Sequence, residues 1–578
     1  MKKYRPYIRK NWYCFLLAPI FMTLEACGEF ILPFINANII DRGAANGDVP
    51  FILQNGLWMV LIALAMLLTG VLGAFFAVRG AARLAAGVRK DVFDKVQTFS
   101  FSDIDRFSTG SLITRTTNDI TQIQTFIQTL MRGFFRSPIM IIGALVMSFR
   151  MNPELAWVIL IVTPILALVT AWIIRTASPR YTAMQEQLDA LNSGIGETIT
   201  NEKVIKSFVR EEHEKGKFRV INEALRDKTV AALRMMILMQ PVSALAVNVT
   251  TLIVVWIAGR KIMVGGMAVG TLTAFITYLS QVLTALNFLA NIFLQGTRAA
   301  ASDRRISEVI DTVPAIRDGE ENGREIAAGG IEFRGVTFRY FKDAAAPVLE
   351  DVDLRIEPGE LVGIIGSTGS GKTTLVSMIP RLYDPDAGEV RVDGVNVKDY
   401  SLRALREGIA VVLQKNTLFS GTIAENLRWG NEDASDEELA AACRIAQADG
   451  FIRAFPDGYE TELGQGGGNL SGGQRQRVCI ARALLKRPKV IILDDSTSAV
   501  DTATDASIRR AFRESLPHVT KIIIAQRISS VMDADKIVVM DRGRVVACGR
   551  HDALIRDCDA YQEIYYSQKD REEGEAHE

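Results

Sequence analysis

The chain has 578 residues, with 66 Lys+Arg against 66 Asp+Glu, 48% hydrophobic residues and 45 glycines in no repeating pattern. This length exceeds an ordinary single domain, and the apolar fraction excludes a disordered or collagen-like chain. The zero net charge conceals opposed halves: residues 1–310 carry 32 basic and 21 acidic side chains, residues 311–578 carry 34 and 45.

The chain begins with the basic decapeptide MKKYRPYIRK. The apolar segment after it is too long for a cleavable signal peptide, and no small-residue cleavage site follows. Asn11–Ile40, broken only by Glu25 and Glu29, predicts a first membrane span, and the uncharged run Phe51–Val78 predicts a second. Ser137–Phe149, Leu155–Ile174, Met235–Gly259 and Ile262–Thr297 complete six.

Basic residues resist translocation, so the decapeptide places the N-terminus in the cytoplasm. Outer loops then fall near residues 41–56, 150–154 and 260–269 and hold only Arg42, Arg150, Arg260 and Lys261, leaving 28 of the 32 basic residues on the cytoplasmic side. No proline interrupts the chain from Phe51 to Ser137 or from Arg180 to Gln240, so spans two to five are expected to continue beyond the bilayer as long helices. Each hairpin needs a turn, and the polar segments Arg106–Asp119 and Leu191–Glu212 are the candidates. Glu25 and Glu29 share one helix face, where a carboxylate either recognises a cation or makes a packing bond. Asn36, Asn38, Asn248, Gln281, Asn287 and Asn291 either line a polar route or join helices.

After the spans, Asp311–Gly330 is polar and Gly-rich, as in a linker. Two alternating strands follow, then the apolar run LVGII leads into GSTGSGKT, with Gly366, Ser367, Thr368, Gly369, Ser370, Gly371, Lys372, Thr373 and then Thr374. This is a phosphate-binding loop between a buried strand and a helix. Backbone N–H groups close round phosphates, Lys372 supplies a cation, and Thr373 can ligate Mg²⁺. A second buried strand, KVIILDD, ends in Asp494 and Asp495. Asp494 would hold Mg²⁺ through water, and the next position would orient water for attack on a γ-phosphate. The six cysteines, Cys14, Cys27, Cys443, Cys479, Cys548 and Cys558, lack metal-ligand spacing and fit buried free thiols.

Between the two motifs lies LSGGQRQR, Leu470–Arg477. Here the sequence resembles an ATP-binding cassette (ABC) transporter of the exporter type over nearly its whole length. The resemblance implies a six-helix transmembrane domain at 1–310, a linker at 311–329, an α/β P-loop cassette at 330–566 and a charged tail at 567–578. It implies ATP and Mg²⁺ as cofactors. Tyr340 matches the adenine-stacking residue, Gln414 the glutamine that contacts Mg²⁺ and water, and Asp501 the aspartate that communicates across the dimer. Ser471, Gly472, Gly473 and Gln474 belong to the signature that grips the γ-phosphate of ATP held on the opposite subunit. The two polar turns correspond to the family's coupling helices.

Three positions depart from the family pattern. Asp495 stands where Glu is normal, one methylene short, and a misplacement of roughly 1 Å can cost about a hundredfold. Gln526 replaces the switch histidine, whose protonation an amide cannot reproduce. Gln465 stands where such exporters often carry Glu. The cassette is therefore expected to bind ATP and hydrolyse it poorly, while its signature serves a second, non-identical half-transporter. The expected function is export of amphipathic small molecules, of drug or lipid type, across the cell membrane, with both termini cytoplasmic and no nucleic-acid partner. A regulatory ATP-gated subunit without turnover, and an exporter-folded importer of metal chelates, remain as alternatives on sequence alone.

Overall fold

A computed structural model describes residues 2–318, 324–342, 344, 346–495 and 501–575. Parts of the predicted linker, residues 496–500 just before Asp501, and the end of the tail lie outside the described residues. The chain forms two compact units, Met1–Gln97 with Thr109–Thr312, and Thr98–Ser108 with Val313–Glu578.

Among the described residues, six helices of the first unit are long and apolar enough to cross a membrane: Trp12–Ala44, Val49–Gln97, Thr109–Met151, Pro153–Thr200, Ala244–Met263 and Val269–Asp311. The fifth span ends a 53-residue helix, Glu211–Met263. At about 1.5 Å per residue the 49-residue second helix extends roughly 70 Å, far more than the roughly 30 Å apolar bilayer core. Large apolar side chains such as Leu53, Leu57, Leu67 and Leu68 point outward, whereas small residues pack inward. Ala18 and Ala77 are fully buried at the contact of the first two spans, which suits helix association in lipid. Asp41, at the end of the first span, accepts from the Thr271 N–H at 3.0 Å and from the Gly270 N–H, fixing the start of the sixth span.

The structure moves both predicted turns. The second helix ends at Gln97, and Ser100 and Asp103 form a reciprocal capping box that starts the short helix Phe101–Phe107. Most of the predicted turn, Arg106–Asp119, is instead helical from Thr109 onward. Its hydroxyls bond back within the helix, Thr114 to the Gly110 carbonyl and Thr117 to the Ile113 carbonyl, so its polarity does not require water. Likewise the helix through Leu191 continues to Thr200, and the break narrows to Asn201–Arg210 around the short helix Glu202–Ser207. Arg136, counted above among the cytoplasmic cations, lies within the third span and pairs with Glu29.

In the second unit the strands are β1 (Ile331–Phe338), β2 (Leu349–Ile356), β3 (Leu361–Gly366), β4 (Ala387–Val392), β5 (Val395–Asn396), β6 (Ile409–Val412), β7 (Gly421–Thr422), β8 (Glu462–Leu463), β9 (Val490–Asp494), β10 (Thr520–Ile524), β11 (Lys536–Asp541) and β12 (Arg544–Gly549). An antiparallel sheet has the order β2-β1-β4-β5, and a larger sheet the order β12-β11-β3-β10-β9-β6, parallel except for β12. Successive residues of β9 feed opposite cores: Ile491 and Leu493 enter one apolar cluster, Val490 and Ile492 the other. A sheet covered on both faces explains why these strands read as unbroken apolar runs. Asp393, at the β4–β5 turn, accepts four successive N–H groups, from Ala327 to Gly330, at 2.8–2.9 Å, which fixes the chain entering β1.

Candidate functional site

Four neighbouring parallel strands, β3, β10, β9 and β6, deliver their carboxyl ends to one place, where ligands bind in open α/β sheets. β3 runs into the phosphate loop, β9 into Asp494 and Asp495, β10 towards Gln526, and β6 towards Gln414. Between them is a cavity of about 260 Å³ lined by Thr368, Gly369, Gly371, Lys372, Thr373, Thr374, Gln414, Asp494, Asp495 and Gln526.

The loop backbone needs glycine at two points. At Gly366 a Cβ would stand 2.1 Å from the Met540 carbonyl oxygen, and at Gly371, where φ is +94°, it would meet Leu349 Cδ2 at 2.8 Å. Lys372 Nζ donates to the carbonyls of Gly366 (2.9 Å) and Ser367 (2.8 Å) and lies 3.4 Å from Ser370 Oγ. Burial holds its ammonium below the ordinary lysine value, against the pull of Asp495 and Asp494. A phosphate entering the loop would offer Lys372 an anion in place of these carbonyls.

Thr373 Oγ1 donates to Asp494 Oδ1 at 2.9 Å, bringing two oxygens to one point. Burial raises the Asp494 carboxyl above the usual range; the Thr373 bond and Lys372 pull it down, while Asp495 adds to the rise. A desolvated carboxylate beside a hydroxyl is an oxygen set that suits Mg²⁺, so the residues present fit that ion.

Asp495 sits in the left-handed backbone region at φ +47°, and its N–H donates to the Ile524 carbonyl at 3.0 Å. Its Oδ2 accepts from two amides, Gln526 Nε2 at 2.7 Å and Gln414 Nε2 at 3.3 Å. Two of the three positions that depart from the family pattern, Asp495 and Gln526, are thus bonded directly to each other. Tyr340 stands beside the loop, its hydroxyl 2.9 Å from Thr374 Oγ1 and its ring edge-on to Tyr383, 5.2 Å between centroids. With 40% of the residue exposed, its ring can receive a flat base.

The signature residues lie elsewhere. Ser471 caps the helix Gly472–Leu485 in a capping box with Gln474, whose Oε1 accepts from the Ser471 N–H at 2.9 Å. Ser471 and Gly472 are exposed and do not line the phosphate cavity; Gly472 instead borders a cleft with Gln414, Gln465 and Arg475. Gly473 also offers its carbonyl to Arg477 Nε at 3.3 Å. Asp501 caps Thr502–Ser515, accepting from the Thr504 N–H at 2.9 Å, and that bond keeps its carboxyl below the usual range.

Two features escaped the sequence reading. The Gln568 amide brackets the loop that carries Gln526, donating to the Gln526 carbonyl at 2.7 Å and accepting from the Ile528 N–H at 2.8 Å. Tyr383 links Tyr340 to the short helix Phe101–Phe107, donating to Asp105 at 3.0 Å. Neither Gln568 nor Asp105 belongs to a local motif, and Asp105 and Tyr383 are 278 positions apart. The expectation of buried thiols holds for Cys14, Cys443 and Cys479, and burial pushes Cys443 up to about 12, whereas Cys27 and Cys558 are half-buried and Cys548 is exposed.

Comparison with known proteins agrees with this geometry. Residues 15–286 match the ABC transporter transmembrane region and residues 349–498 the ABC transporter family. The uncharacterized ABC transporter ATP-binding protein YfiB of Bacillus subtilis is 38% identical over 560 residues, covering 97% of each chain. The putative multidrug export ATP-binding/permease protein YgaD of the same organism is 31% identical, covering 98% of each. The structure of a bacterial Atm1-family ABC exporter with ATP bound superposes with a TM-score of 0.81 at 26% identity, covering 97% of this chain and 98% of that one. With six apolar helices ahead of a phosphate-loop cassette, the chain belongs to the ABC transporter family, as a multi-pass membrane exporter half whose cassette is an ATP-binding transporter ATPase.

Proposed function

We propose that this chain is the degenerate-site half of a heterodimeric exporter that uses ATP to move amphipathic small molecules, of drug or lipid type, across the cell membrane. The observation that carries the reading is the bond between Gln526 and Asp495, in a chain whose signature keeps the family's residues with Ser471 and Gly472 exposed. In its own site Tyr340 receives the adenine and the loop Gly366–Thr374 the phosphates. Thr373, Asp494 and Gln414 would hold Mg²⁺, which would offset charge on the phosphate oxygens.

Hydrolysis there is poor. The shortened carboxylate of Asp495 is engaged by two amides, and Gln526 offers no imidazole. Ser471, Gly472, Gly473 and Gln474 instead complete the partner's site, where donors aimed at developing charge matter most, and Asp501 communicates between the two sites. A homodimer would carry both substitutions twice. The basic decapeptide supports cytoplasmic termini.

The test is the co-purified pair in lipid vesicles: lipophilic compounds should stimulate its ATPase activity and be moved in an ATP-dependent way. Absence of ATPase activity with every compound would favour the regulatory, ATP-gated reading, which the engaged Asp495 also supports.

A further inference from the structure

The loop that carries Gln526 is gripped from two sides. Gln568 holds its first half, at the Gln526 carbonyl and the Ile528 N–H. Its second half is held by the helix Thr502–Ser515, which Asp501 caps. Ser530 Oγ donates to Asp505 Oδ2 at 3.0 Å, and Arg509 Nε reaches the same oxygen at 3.2 Å while its other end bonds Asp533 at 3.1 Å. Ile508 and Phe512 of that helix enter one apolar cluster with Ile528 and Val531 of the loop, so a shift of either element is felt by the other.

Asp505 is a costly residue to place there. It is 5% exposed, both of its side-chain donors use one oxygen, and the other, Oδ1, is buried with no hydrogen-bond partner among the described residues. A half-satisfied buried carboxylate lowers stability, and breaches of this kind collect at functional sites. Its position supplies a reason. The Asp505 N–H donates to the Asp501 carbonyl at 3.0 Å, so the acid stands one turn from the residue that the family pattern assigns to communication across the dimer. Ser530 lies in the same short loop as Gln526, whose Nε2 bonds Asp495. Bonds thus run from Asp501 through Asp505 and Ser530 to the loop that touches Asp495.

We propose that Asp505 is a positioning residue which, through Ser530, couples the helix beginning at Asp501 to the loop carrying Gln526. The proposal rests on the proposed function for the roles of Asp501 and Asp495, but the coupling inside the chain is measurable without either. Ser530→Ala is the lead variant, because Asp505→Ala would also strand Arg509. Hydrogen exchange at the Ile528 and Val531 amides is followed on the full chain in lipid nanodiscs. Ser530→Ala should speed it by roughly threefold or more. Asp501→Ala, which removes the helix cap, should speed it by roughly twofold or more on its own. It should add nothing once Ser530 is Ala; a bond with only a structural role would leave the two effects independent.

A second readout uses the double variant Asp495→Glu with Gln526→His. There Ser530→Ala should lower kcat by roughly fivefold or more and leave the KM for ATP within about twofold, since the phosphate loop is untouched. Exchange effects that multiply, or an Asp501→Ala variant that leaves the loop unchanged, would overturn the proposal. So would an unchanged kcat in a double variant that turns over. If the double variant gains no turnover, the degenerate-site reading falls and the exchange cycle alone decides the coupling.

Discussion

The phosphate cavity and the signature belong to one cassette and differ in what they lack. In the cavity the polar side chains are bonded among themselves: Thr373 to Asp494, Gln414 and Gln526 to Asp495, and Lys372 to carbonyls of its own loop. At the signature, Ser471 and Gln474 cap a helix start, and Ser471 and Gly472 face outward. On the proposed reading the cavity holds the binding groups, with Asp495 and Gln526 altered at the reacting position. The signature holds the family's residues with no phosphate loop of its own chain beside it. On the proposed reading each region is half of a different site.

The largest expected effect breaks this contrast from the signature side. Ser471→Arg or Gly472→Arg should lower ATPase activity of the purified pair by roughly a hundredfold or more, the usual cost of losing a group that stabilises the transition state. Asp495→Asn should change it by less than about threefold. Comparable losses from both would show that this chain's own site carries the turnover.

Next in size, Lys372→Ala should weaken photolabelling of this subunit by azido-ATP by roughly tenfold or more, since a charge-assisted bond contributes about 1.5–3 kcal/mol. Undiminished labelling would mean that the cavity does not hold the phosphates.

A smaller effect is read from stability against pH. The folded-state value of Asp494 is raised chiefly by burial, so its charging opposes folding above that value and has no effect well below the ordinary carboxylate range. Asp494→Asn should therefore raise the nucleotide-free Tm near pH 7–8, and the gain should shrink as pH falls through the raised value. The same variant should lose much of the extra Tm that Mg²⁺ with ATP gives the wild type. A gain that is flat with pH would remove the burial explanation.

The smallest effect sharpens the cavity's description. Gln568→Ala removes two bonds to the loop at 526–528 and should cost about 1 kcal/mol per bond at most. Hydrogen exchange at the Ile528 amide should quicken, and unchanged protection there would show that the loop is held by other contacts.

Much of this was legible in the sequence because its signals are local. Apolar runs revealed the six spans, but proline was a poor guide to their length: the helix Pro153–Thr200 continues through Pro164 and Pro179 and Glu211–Met263 through Pro241, while the proline-free stretch from Arg180 to Gln240 breaks at Asn201–Arg210. The phosphate loop was readable because its glycines, lysine and threonine are contiguous between a strand and a helix. The turns between spans two and three and between spans four and five lie elsewhere than predicted, because polarity does not by itself mark a break. Thr114 and Thr117 satisfy their hydroxyls inside a helix, and the break is set by the Ser100–Asp103 capping box. The partner of Glu29 was missed because Arg136 is 107 residues away and borders an apolar run that looked complete without it. Gln568 left no trace for the same reason: its role comes from where its helix docks, not from its neighbours in the chain.

The central claim is that Asp495 and Gln526 limit hydrolysis at this chain's own phosphate cavity. The most direct measurement is steady-state ATPase activity of the chain purified without a partner, as wild type and as the double variant Asp495→Glu with Gln526→His. The account predicts near-background turnover for the wild type and at least a tenfold rise in the double variant, because both reacting groups return to a site whose binding groups are already in place. Wild-type turnover equal to that of the double variant would contradict it.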